Sequence, residues 1–262
     1  MALPVVVPAA PRSAWLGPCL AAARADGALG VYVVSEERPS DPDVRWVAVP
    51  TGAGFAARAN AGLGAARDDG HAAALLLNDD TELRPGTLRS LRDAVGDGIA
   101  GAVLEEFAGG VQQAGMTVNR RTGRVLGIRR EPEASRAPRD AVSGAAMALS
   151  LDLWARLGGF DEEFTFYFED VDLCLRARDI GAMVHLVREA RVRHHGGGTR
   201  SGRSADAAYH LGRSHTLLAH RLGGGALRRG NVCVLALLWS LRAVGAAGPR
   251  AVLRGVRDAH RA

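Results

Sequence analysis

The hydrophobic positions of this chain fall into short runs that are separated by glycine, proline and acidic residues. A run from Ala72 to Leu77, bounded by Gly70 and Pro85, is apolar throughout, which is typical of a strand buried on both faces of a parallel sheet. Two shorter runs before it, Val5 to Pro8 and Val31 to Val34, predict the first and second strands.

Further along the chain the apolar spacing becomes helical. Val171, Leu175 and Arg178 fall on one helical face, so we expect a helix that begins near Glu169. The C-terminal part predicts three more helices, at Ala205 to Leu222, Leu227 to Gly245 and Pro249 to His260. Between these regions, Gln112 to Ile128 predicts a hairpin, and the charged, proline-containing stretch Arg129 to Arg139 predicts an exposed loop that could border an acceptor cleft.

The segment Val232 to Leu241 is markedly apolar but, interrupted by Arg242, it is too short for a bilayer span of about 20 residues. It predicts a helix that packs on the main domain or on a second subunit. The alternative is a basic amphipathic helix in a membrane interface.

Polar residues follow the buried run directly, in the order Asn78, Asp79, Asp80. Open α/β sheets bind ligands at the carboxyl ends of their strands, and hard oxygen ligands grouped there suit Mg²⁺ or Mn²⁺, especially when a diphosphate supplies further oxygens. An ordinary Asx-rich turn is the alternative interpretation of the same three residues.

The start of the predicted helix at Glu169 carries a second group of acids, behind the aromatic residues Phe166, Tyr167 and Phe168. Acids in a first helical turn can simply complement the helix dipole. A carboxylate held against aromatic walls, however, tends to have a raised pKa, which suits a general base that accepts a proton from an alcohol.

Taken together, these segments resemble the family 2 inverting glycosyltransferases, particularly the bacterial rhamnosyl- and galactofuranosyltransferase-like branch. The resemblance extends from about Val5 to Thr199. It depends on five ordered motifs: Leu77 to Gly86, Gly144 to Met147, Gly158 to Glu162, Tyr167 to Arg176 and Val192 to His194.

The resemblance implies a role for individual residues. Asp170 corresponds to the catalytic base, with Glu169 beside it. Asp80 corresponds to the last acid of the metal-binding motif and His194 to the histidine that completes the metal site. The residues expected to contact the nucleotide donor are Pro8, Glu36, Arg58, Asn60, Asn78, Asp79 and Arg176.

Several of these assignments have alternatives in the sequence. Glu36 stands where the family usually has an aspartate and a small polar pair, so the identity of the nucleotide base that the site selects stays open. Arg58, Arg176 and Arg200 are candidates for phosphate contacts, although Arg176 lies four residues after Asp172 and an i,i+4 ion pair explains it equally well.

His195 is the fallback for the metal ligand His194. Adjacent residues of a strand face opposite sides, so only one of the two histidines can point into the site.

The fold implied by the resemblance is a GT-A-like, Rossmann-like three-layer α/β/α domain with a mixed, mostly parallel sheet. We expect it to span residues 1–200, with residues 201–262 as a C-terminal helical extension. The function implied is transfer of a sugar from a UDP- or dTDP-sugar to an acceptor hydroxyl with inversion, assisted by Mg²⁺ or Mn²⁺. The acceptor could be a glycan, a glycolipid or a natural product. A catalytically weak homologue acting as a partner subunit and a nucleotidyltransferase are the alternatives.

Composition adds the cellular setting. All 33 basic residues are arginine, the net charge is +5, and from Arg191 onward the chain carries 13 arginines and two aspartates. This basic end could contact an anionic membrane or a phosphorylated acceptor, but no nucleic-acid motif accompanies it. Three scattered cysteines and a start without a basic n-region predict a cytoplasmic protein, with a peripheral contact at the inner face of the membrane as the alternative; a homodimer is also open.

Overall fold

The computed structural model describes residues 3–195, 205–223, 234 and 247–260. Arg200 and the helix predicted at Leu227 to Gly245 therefore lie outside the described residues, apart from Val234. The strands are β1 (Val5–Pro8), β2 (Val31–Ser35), β3 (Arg45–Ala48), β4 (Ala73–Leu77), β5 (Thr81–Leu83), β6 (Ile99–Glu106), β7 (Val111–Gln113), β8 (Met116–Asn119), β9 (Arg124–Gly127), β10 (Arg136–Pro138), β11 (Ala146–Ser150) and β12 (Val184–His194). The helices are α1 (Leu16–Ala25), α2 (Phe55–Asp68), α3 (Thr87–Val95), α4 (Leu151–Arg156), α5 (Glu169–Asp179), α6 (Ala205–Arg221) and α7 (Ala247–Ala259).

The described strands form one large mixed sheet and one small hairpin. The order across the large sheet is β10, β12, β6, β11, β4, β1, β2, β3, with β5 paired to β12 and β7 paired to β6. The pairs β1 with β2, β1 with β4, β2 with β3 and β6 with β12 are parallel, whereas β11 runs antiparallel to β4 and β6. The fold is thus the mixed α/β fold that the sequence predicted.

Helices cover both faces of this sheet, because its central strands are apolar on both sides. Alternate residues of β1 point to opposite faces: Val6 packs in a cluster with α2, α4 and α5, whereas Val5 and Val7 pack in a cluster with α1 and α3. The molecule therefore has three layers, and each central strand stabilises two hydrophobic cores.

Helix α2 approaches the sheet unusually closely at one point. A Cβ atom at Gly62 would lie 2.6 Å from Cγ2 of Val34 and closer still to Cγ1 of Val6, so only a glycine fits between α2 and the strands β1 and β2. This contact fixes the height of α2 above the sheet.

Most of the predicted local elements agree with the described structure, but the stretch Arg129 to Arg139, predicted as an exposed loop, contains the short strand β10, which pairs with β12. β8 and β9 form the hairpin expected within Gln112 to Ile128. α5 begins at Glu169, and α6 and α7 match two of the three predicted C-terminal helices within two residues at each end. None of the helices in the described ranges combines the length and the apolar character that a bilayer crossing requires.

Candidate active site

The acid turn, residues 78–81, lies where β4 ends beside the start of β11. The register places Leu77 opposite Ala146, and the backbone N–H of Asn78 donates to the carbonyl of Ala145 at 3.0 Å. The hydroxyl of Thr81 donates to the Asn78 carbonyl at 2.6 Å and closes the turn. The backbone of the acid turn is therefore fixed before any ligand arrives.

Asp80 faces His194 because the chain that follows the acid turn runs alongside the end of β12. After the acid turn, β5 pairs antiparallel with the end of β12 and places Thr81 opposite His194. The backbone N–H of His195 donates to the carbonyl of Asp80 at 2.9 Å. In this arrangement Oδ1 of Asp80, which is buried, lies 3.3 Å from Nε2 of His194.

The ring orientation of His194 is set by Gln112. Its Nδ1 lies 2.8 Å from Oε1 of Gln112, and an amide oxygen can only accept, so Nδ1 carries a proton. In the neutral imidazole, Nε2 then presents a lone pair toward the carboxylate of Asp80. Two such groups at this distance need a proton or a cation between them, and an outer hydrogen bond to the second nitrogen is what orients histidines that bind metals.

The described residues offer few protein ligands for a cation at this point. Within those ranges, no group of three or more His, Cys, Asp and Glu side chains has an arrangement that could hold a metal ion. Asp80 and His194 would thus be two protein ligands, and the other ligands would have to come from a substrate. Mg²⁺ sites commonly have this composition, with one or two protein ligands and several phosphate oxygens.

His195 points to the other side of β12, as the alternation of a strand requires. Its Nε2 lies 3.0 Å from Oε1 of Glu82, and its ring is sandwiched between Trp15 and Phe107 at centroid distances of 3.6 and 3.5 Å. Of the two histidines it is thus His194 that lies beside Asp80, because the ring of His195 is stacked between Trp15 and Phe107.

The other two residues of the acid turn face the N-terminal strands. Oδ2 of Asp79 accepts a hydrogen bond from the backbone N–H of Ala10 at 2.7 Å, which ties the turn to the loop after Pro8 at the end of β1. Burial raises the pKa of Asp79 despite this bond. Oδ1 of Asn78 is a buried acceptor for which the described atoms supply no hydrogen-bond donor. A ligand with a donor group or a cation would satisfy it.

Glu36 and Arg58 join the loops that follow the first two strands. Arg58 donates to the carbonyls of Ala53 and Ala9 at 2.9 and 2.6 Å and to Oε1 of Glu36 at 2.8 Å. The backbone N–H of Gly52 donates to the same carboxylate oxygen, and together with Arg58 it holds the pKa of Glu36 below its usual value. Both residues lie beside the loops after β1 and β2, as expected for residues that contact a nucleotide. The hydrogen bonds that Arg58 donates, however, mainly hold these loops together.

Asn60 lies at the turn around Gly159 rather than at the acid turn. Its Oδ1 accepts from the backbone N–H of Phe160 at 2.8 Å and from Nε1 of Trp154 at 3.3 Å, and its Nδ2 donates to the Phe160 carbonyl and to Glu162. These four contacts use the full hydrogen-bonding capacity of an amide. In this structure Asn60 is used within the turn around Gly159, and its predicted contact with the nucleotide would require one of these hydrogen bonds to be exchanged.

Arg176 braces the same turn. It pairs with Asp172 at 2.7 Å and donates to the carbonyls of Leu157 and Gly159 at 2.8 and 2.9 Å. The ion pair that the i,i+4 spacing predicted is present. Three of the five guanidinium N–H groups are thus used within the protein, and the phosphate contact suggested for Arg176 stays a prediction.

Asp170 is held against the backbone next to the acid turn. Its Oδ2 accepts from the N–H of Gly144 at 2.9 Å and its Oδ1 from the N–H of Val171 at 2.8 Å. Gly144 precedes Ala145, whose carbonyl receives the N–H of Asn78. Two consecutive backbone residues thus connect Asp170 to the acid turn. Burial raises the pKa of Asp170 although both hydrogen bonds act to lower it.

The neighbouring Glu169 has a different environment. It is buried, and its Oε2 has no hydrogen-bond partner among the described atoms. Burial, together with the charge of Asp170, raises the pKa of Glu169 strongly. Because Asp170 receives two backbone hydrogen bonds that favour its ionised form, the pair divides into a neutral Glu169 and an ionised Asp170.

Sequence reasoning missed Gln112 as part of this site. Gln112 is 82 positions from His194 along the chain, and it reaches the ring because β7 pairs with β6 next to the end of β12. No local pattern around Gln112 predicts this contact, because the contact depends entirely on strand order.

Comparisons with known proteins bear on the family and the fold of this chain. The family model described as glycosyltransferase like family 2 matches residues 2–210. Uncharacterized proteins from Mycobacterium bovis and from Mycobacterium tuberculosis are each 28% identical over 200 residues, which is 71% of this chain and 72% of the relative.

Two solved structures share the fold. The crystal structure of GalNAc-T7 with UDP, GalNAc and Mn²⁺ has a TM-score of 0.61 at 11% identity. The matched region is 74% of this chain but only 44% of the GalNAc-T7 chain. The structure of S. aureus TarS 1-349 has a TM-score of 0.57 at 13% identity and covers 92% of this chain and 71% of that chain. At these identities the likeness concerns the fold alone.

Proposed function

Since this chain belongs to the glycosyltransferase-like family 2, we propose that it transfers a sugar from a nucleotide diphosphate donor to an acceptor hydroxyl, with inversion at the anomeric carbon. The observation that carries the proposal is the position of Asp170. Its carboxylate is fixed on Gly144, one residue from the carbonyl that holds Asn78 of the acid turn. A base and a diphosphate-binding turn are thereby part of one rigid backbone unit.

The proposed chemistry needs one base and no protein nucleophile. Asp170 takes the proton of the acceptor hydroxyl while the acceptor oxygen attacks the anomeric carbon. The bond from that carbon to the diphosphate oxygen breaks, and the electron pair leaves with the diphosphate. Attack from the face opposite the leaving group inverts the configuration. Glu169, kept neutral by burial, leaves the negative charge of the pair on Asp170.

Asp80 and Nε2 of His194 are the residues that would hold Mg²⁺ or Mn²⁺. The buried acceptor of Asn78 and the lone pair of His194 directed at Asp80 fit a cation and its diphosphate ligands. When bound, the cation supplies Lewis-acid neutralisation of the leaving diphosphate. Asp79 contributes by holding the loop after β1 in place at the donor side.

The donor pocket is proposed between the loops after β1 and β2. Pro8 ends β1 there, and the pair of Glu36 and Arg58 forms its wall. Glu36 retains a second carboxylate oxygen that can accept a hydrogen bond from a ribose or base edge. A UDP- or dTDP-sugar is the proposed donor, and the rhamnosyl- or galactofuranosyltransferase-like branch is the proposed subgroup.

The base assignment is tested by Asp170→Asn, with Asp179→Asn as the matched control. Both aspartates lie on α5, but Asp179 is exposed and pairs with Arg120. We expect Asp170→Asn to lower the rate of sugar transfer by about 10² to 10⁴, without loss of nucleotide binding, and Asp179→Asn to leave both unchanged. Equal activity of the two variants would refute the base role.

The donor site is tested by thermal shift with UDP, dTDP and GDP, each with and without Mn²⁺, because a ligand that binds only the folded state raises its stability. A metal-dependent shift with one nucleotide supports the proposal and identifies the base. No shift with any nucleotide would favour the alternative of a catalytically weak homologue that serves as a partner subunit. Hydrolysis or transfer at the α-phosphate would favour a nucleotidyltransferase.

The proposal extends to the setting of the enzyme. Residues 1–200 are proposed as the catalytic domain and residues 201–262 as an extension whose helix α7 exposes Arg250, Leu253, Arg254 and Arg257 on one side. Such a basic face suits anionic lipid headgroups, so a peripheral contact at the inner face of the membrane is proposed, and binding to anionic but not neutral vesicles would test it. The buried free thiols of Cys19 and Cys174 support a cytoplasmic location. A homodimer is also proposed, and sedimentation analysis would test it.

A further inference from the structure

The segment just before the base-bearing helix has an unusual backbone. Tyr167 and Phe168 have φ angles of 69° and 66°, in the left-handed region that side chains other than glycine rarely adopt. A left-handed backbone strains any residue with a side chain, so two such residues in succession persist only where the surrounding structure holds them. Phe168 is also the N-cap of α5, and its side chain makes no capping hydrogen bond.

Helix α6 supplies the contacts that hold this segment. The hydroxyl of Ser214 donates to the carbonyl of Phe166 at 2.6 Å, and Ser214 itself is fully buried. One turn earlier on α6, Nδ1 of His210 lies 3.1 Å from the hydroxyl of Thr165. Two successive backbone positions are thus attached to the same helix, immediately before the left-handed pair.

The aromatic side chain of Phe168 is held by α6 as well. Its ring stacks on that of His215 at a centroid distance of 4.7 Å and an interplanar angle of 27°. His215 is fixed in turn, because its Nε2 donates to the carbonyl of Gly123 in the β8–β9 hairpin at 2.9 Å. Burial lowers the pKa of His215, so the stacked ring is neutral.

The opposite side of the segment rests on the donor half of the molecule. The backbone N–H of Phe55, the first residue of α2, donates to the carbonyl of Thr165 at 3.2 Å. A Cβ atom at Gly54 would lie 3.0 Å from that same carbonyl, so the two segments are in close contact. The segment is therefore clamped between α2, which faces the donor loops, and α6.

We propose that α6 is a positioning element of the active site, which holds residues 165–168, including the left-handed pair Tyr167 and Phe168, and thereby sets where α5 begins and where the carboxylate of Asp170 lies. Ser214, His210 and His215 are its positioning residues. This inference rests on the proposed role of Asp170 as the base. It implies that the helical extension belongs to the catalytic machinery rather than being an appendage.

The test compares Ser214→Ala with Thr216→Val. Both residues are buried on α6 and both hydroxyls donate to a carbonyl, but Thr216 bonds to Gly212 within the helix. We expect Ser214→Ala to lower kcat about five- to tenfold, as the loss of one buried hydrogen bond would. The KM for the donor and the metal-dependent thermal shift with nucleotide should stay unchanged. Thr216→Val should change kcat by less than about twofold at a similar melting temperature.

If Ser214→Ala does not fold, a second pair of variants, at Thr165, tests the same inference. Thr165→Ser keeps the hydroxyl that meets His210, whereas Thr165→Val removes it at nearly constant volume. Lower kcat in Thr165→Val with recovery in Thr165→Ser supports the inference. Equal kcat in these two variants, or in Ser214→Ala and Thr216→Val, would overturn it, provided that Asp170→Asn is inactive. An active Asp170→Asn would instead refute the proposed function on which the inference rests.

Discussion

The tight contact at Gly62 gives a prediction that can be worked from the structure. Gly62→Ala adds one methyl group between α2 and the sheet, 2.6 Å from Cγ2 of Val34 and closer still to Cγ1 of Val6. Ordinary carbon contacts lie at about 3.5–4.0 Å. Both valines are fully buried and β-branched, so neither can rotate away, and α2 itself must move.

Gly64→Ala is the matched control on the same helix. A Cβ atom there would lie 3.8 Å from Trp154, which is an ordinary contact. In both variants alanine replaces a glycine within a helix and gains about 0.5–1 kcal/mol. Overpacking at Gly62 should cost about 1–3 kcal/mol, so the difference between the two variants isolates this cost.

The assay is thermal unfolding of both variants beside the parent protein. At about 2–4 °C per kcal/mol for a chain of this size, Gly62→Ala should melt roughly 2–12 °C below Gly64→Ala. The displaced helix also carries Arg58, which joins the loops of the proposed donor pocket, so the KM for the donor should rise in Gly62→Ala alone. Equal melting temperatures would show that the sheet yields to the methyl group and would refute the argument.

The remaining predictions concern the site. Gln112→Leu removes the acceptor for Nδ1 of His194. The Mn²⁺ concentration for half-maximal activity should therefore rise about 10- to 100-fold, with maximal activity partly retained. An unchanged metal dependence would contradict the orienting role of Gln112. Burial and Asp170 raise the pKa of Glu169 to about 8, so its folded form binds a proton that the unfolded chain releases near its ordinary pKa, and stability should fall as the pH rises from about 5 to 8. Denaturation across that range should show a flatter pH profile in Glu169→Gln; an identical profile would exclude Glu169 as the source.

The strands and helices with a clear local pattern were predictable from the sequence, whereas no local pattern predicted edge strands such as β5 and β10. The run that became β4 is apolar at every position, and the acid turn follows it directly, so the metal-binding candidate Asp80 could be placed at a strand end. The start of α5 at Glu169 was equally visible from spacing. Family membership, shown by the match over residues 2–210, follows from the order of such motifs.

The roles of Asn60 and Arg176 could not be predicted in this way. Both fall in motifs that suggest ligand contacts, yet both are used by the turn around Gly159, 99 and 17 positions away. A motif specifies which polar groups are present, but only the packing of α2 and α5 against that turn decides whether those groups remain available to a ligand.

What the sequence determined by itself is the elements with a clear local pattern, such as β1, β2, β4 and α5, and the chemical groups that they carry, since hydrophobic periodicity and turn residues act over a few positions. What only the tertiary structure decided is the partner of each group: Gln112 for His194, Gly144 for Asp170, and α6 for the strained segment before α5. These contacts join residues that are tens of positions apart. They form because strand order and helix packing, rather than any local pattern, bring them within hydrogen-bonding distance.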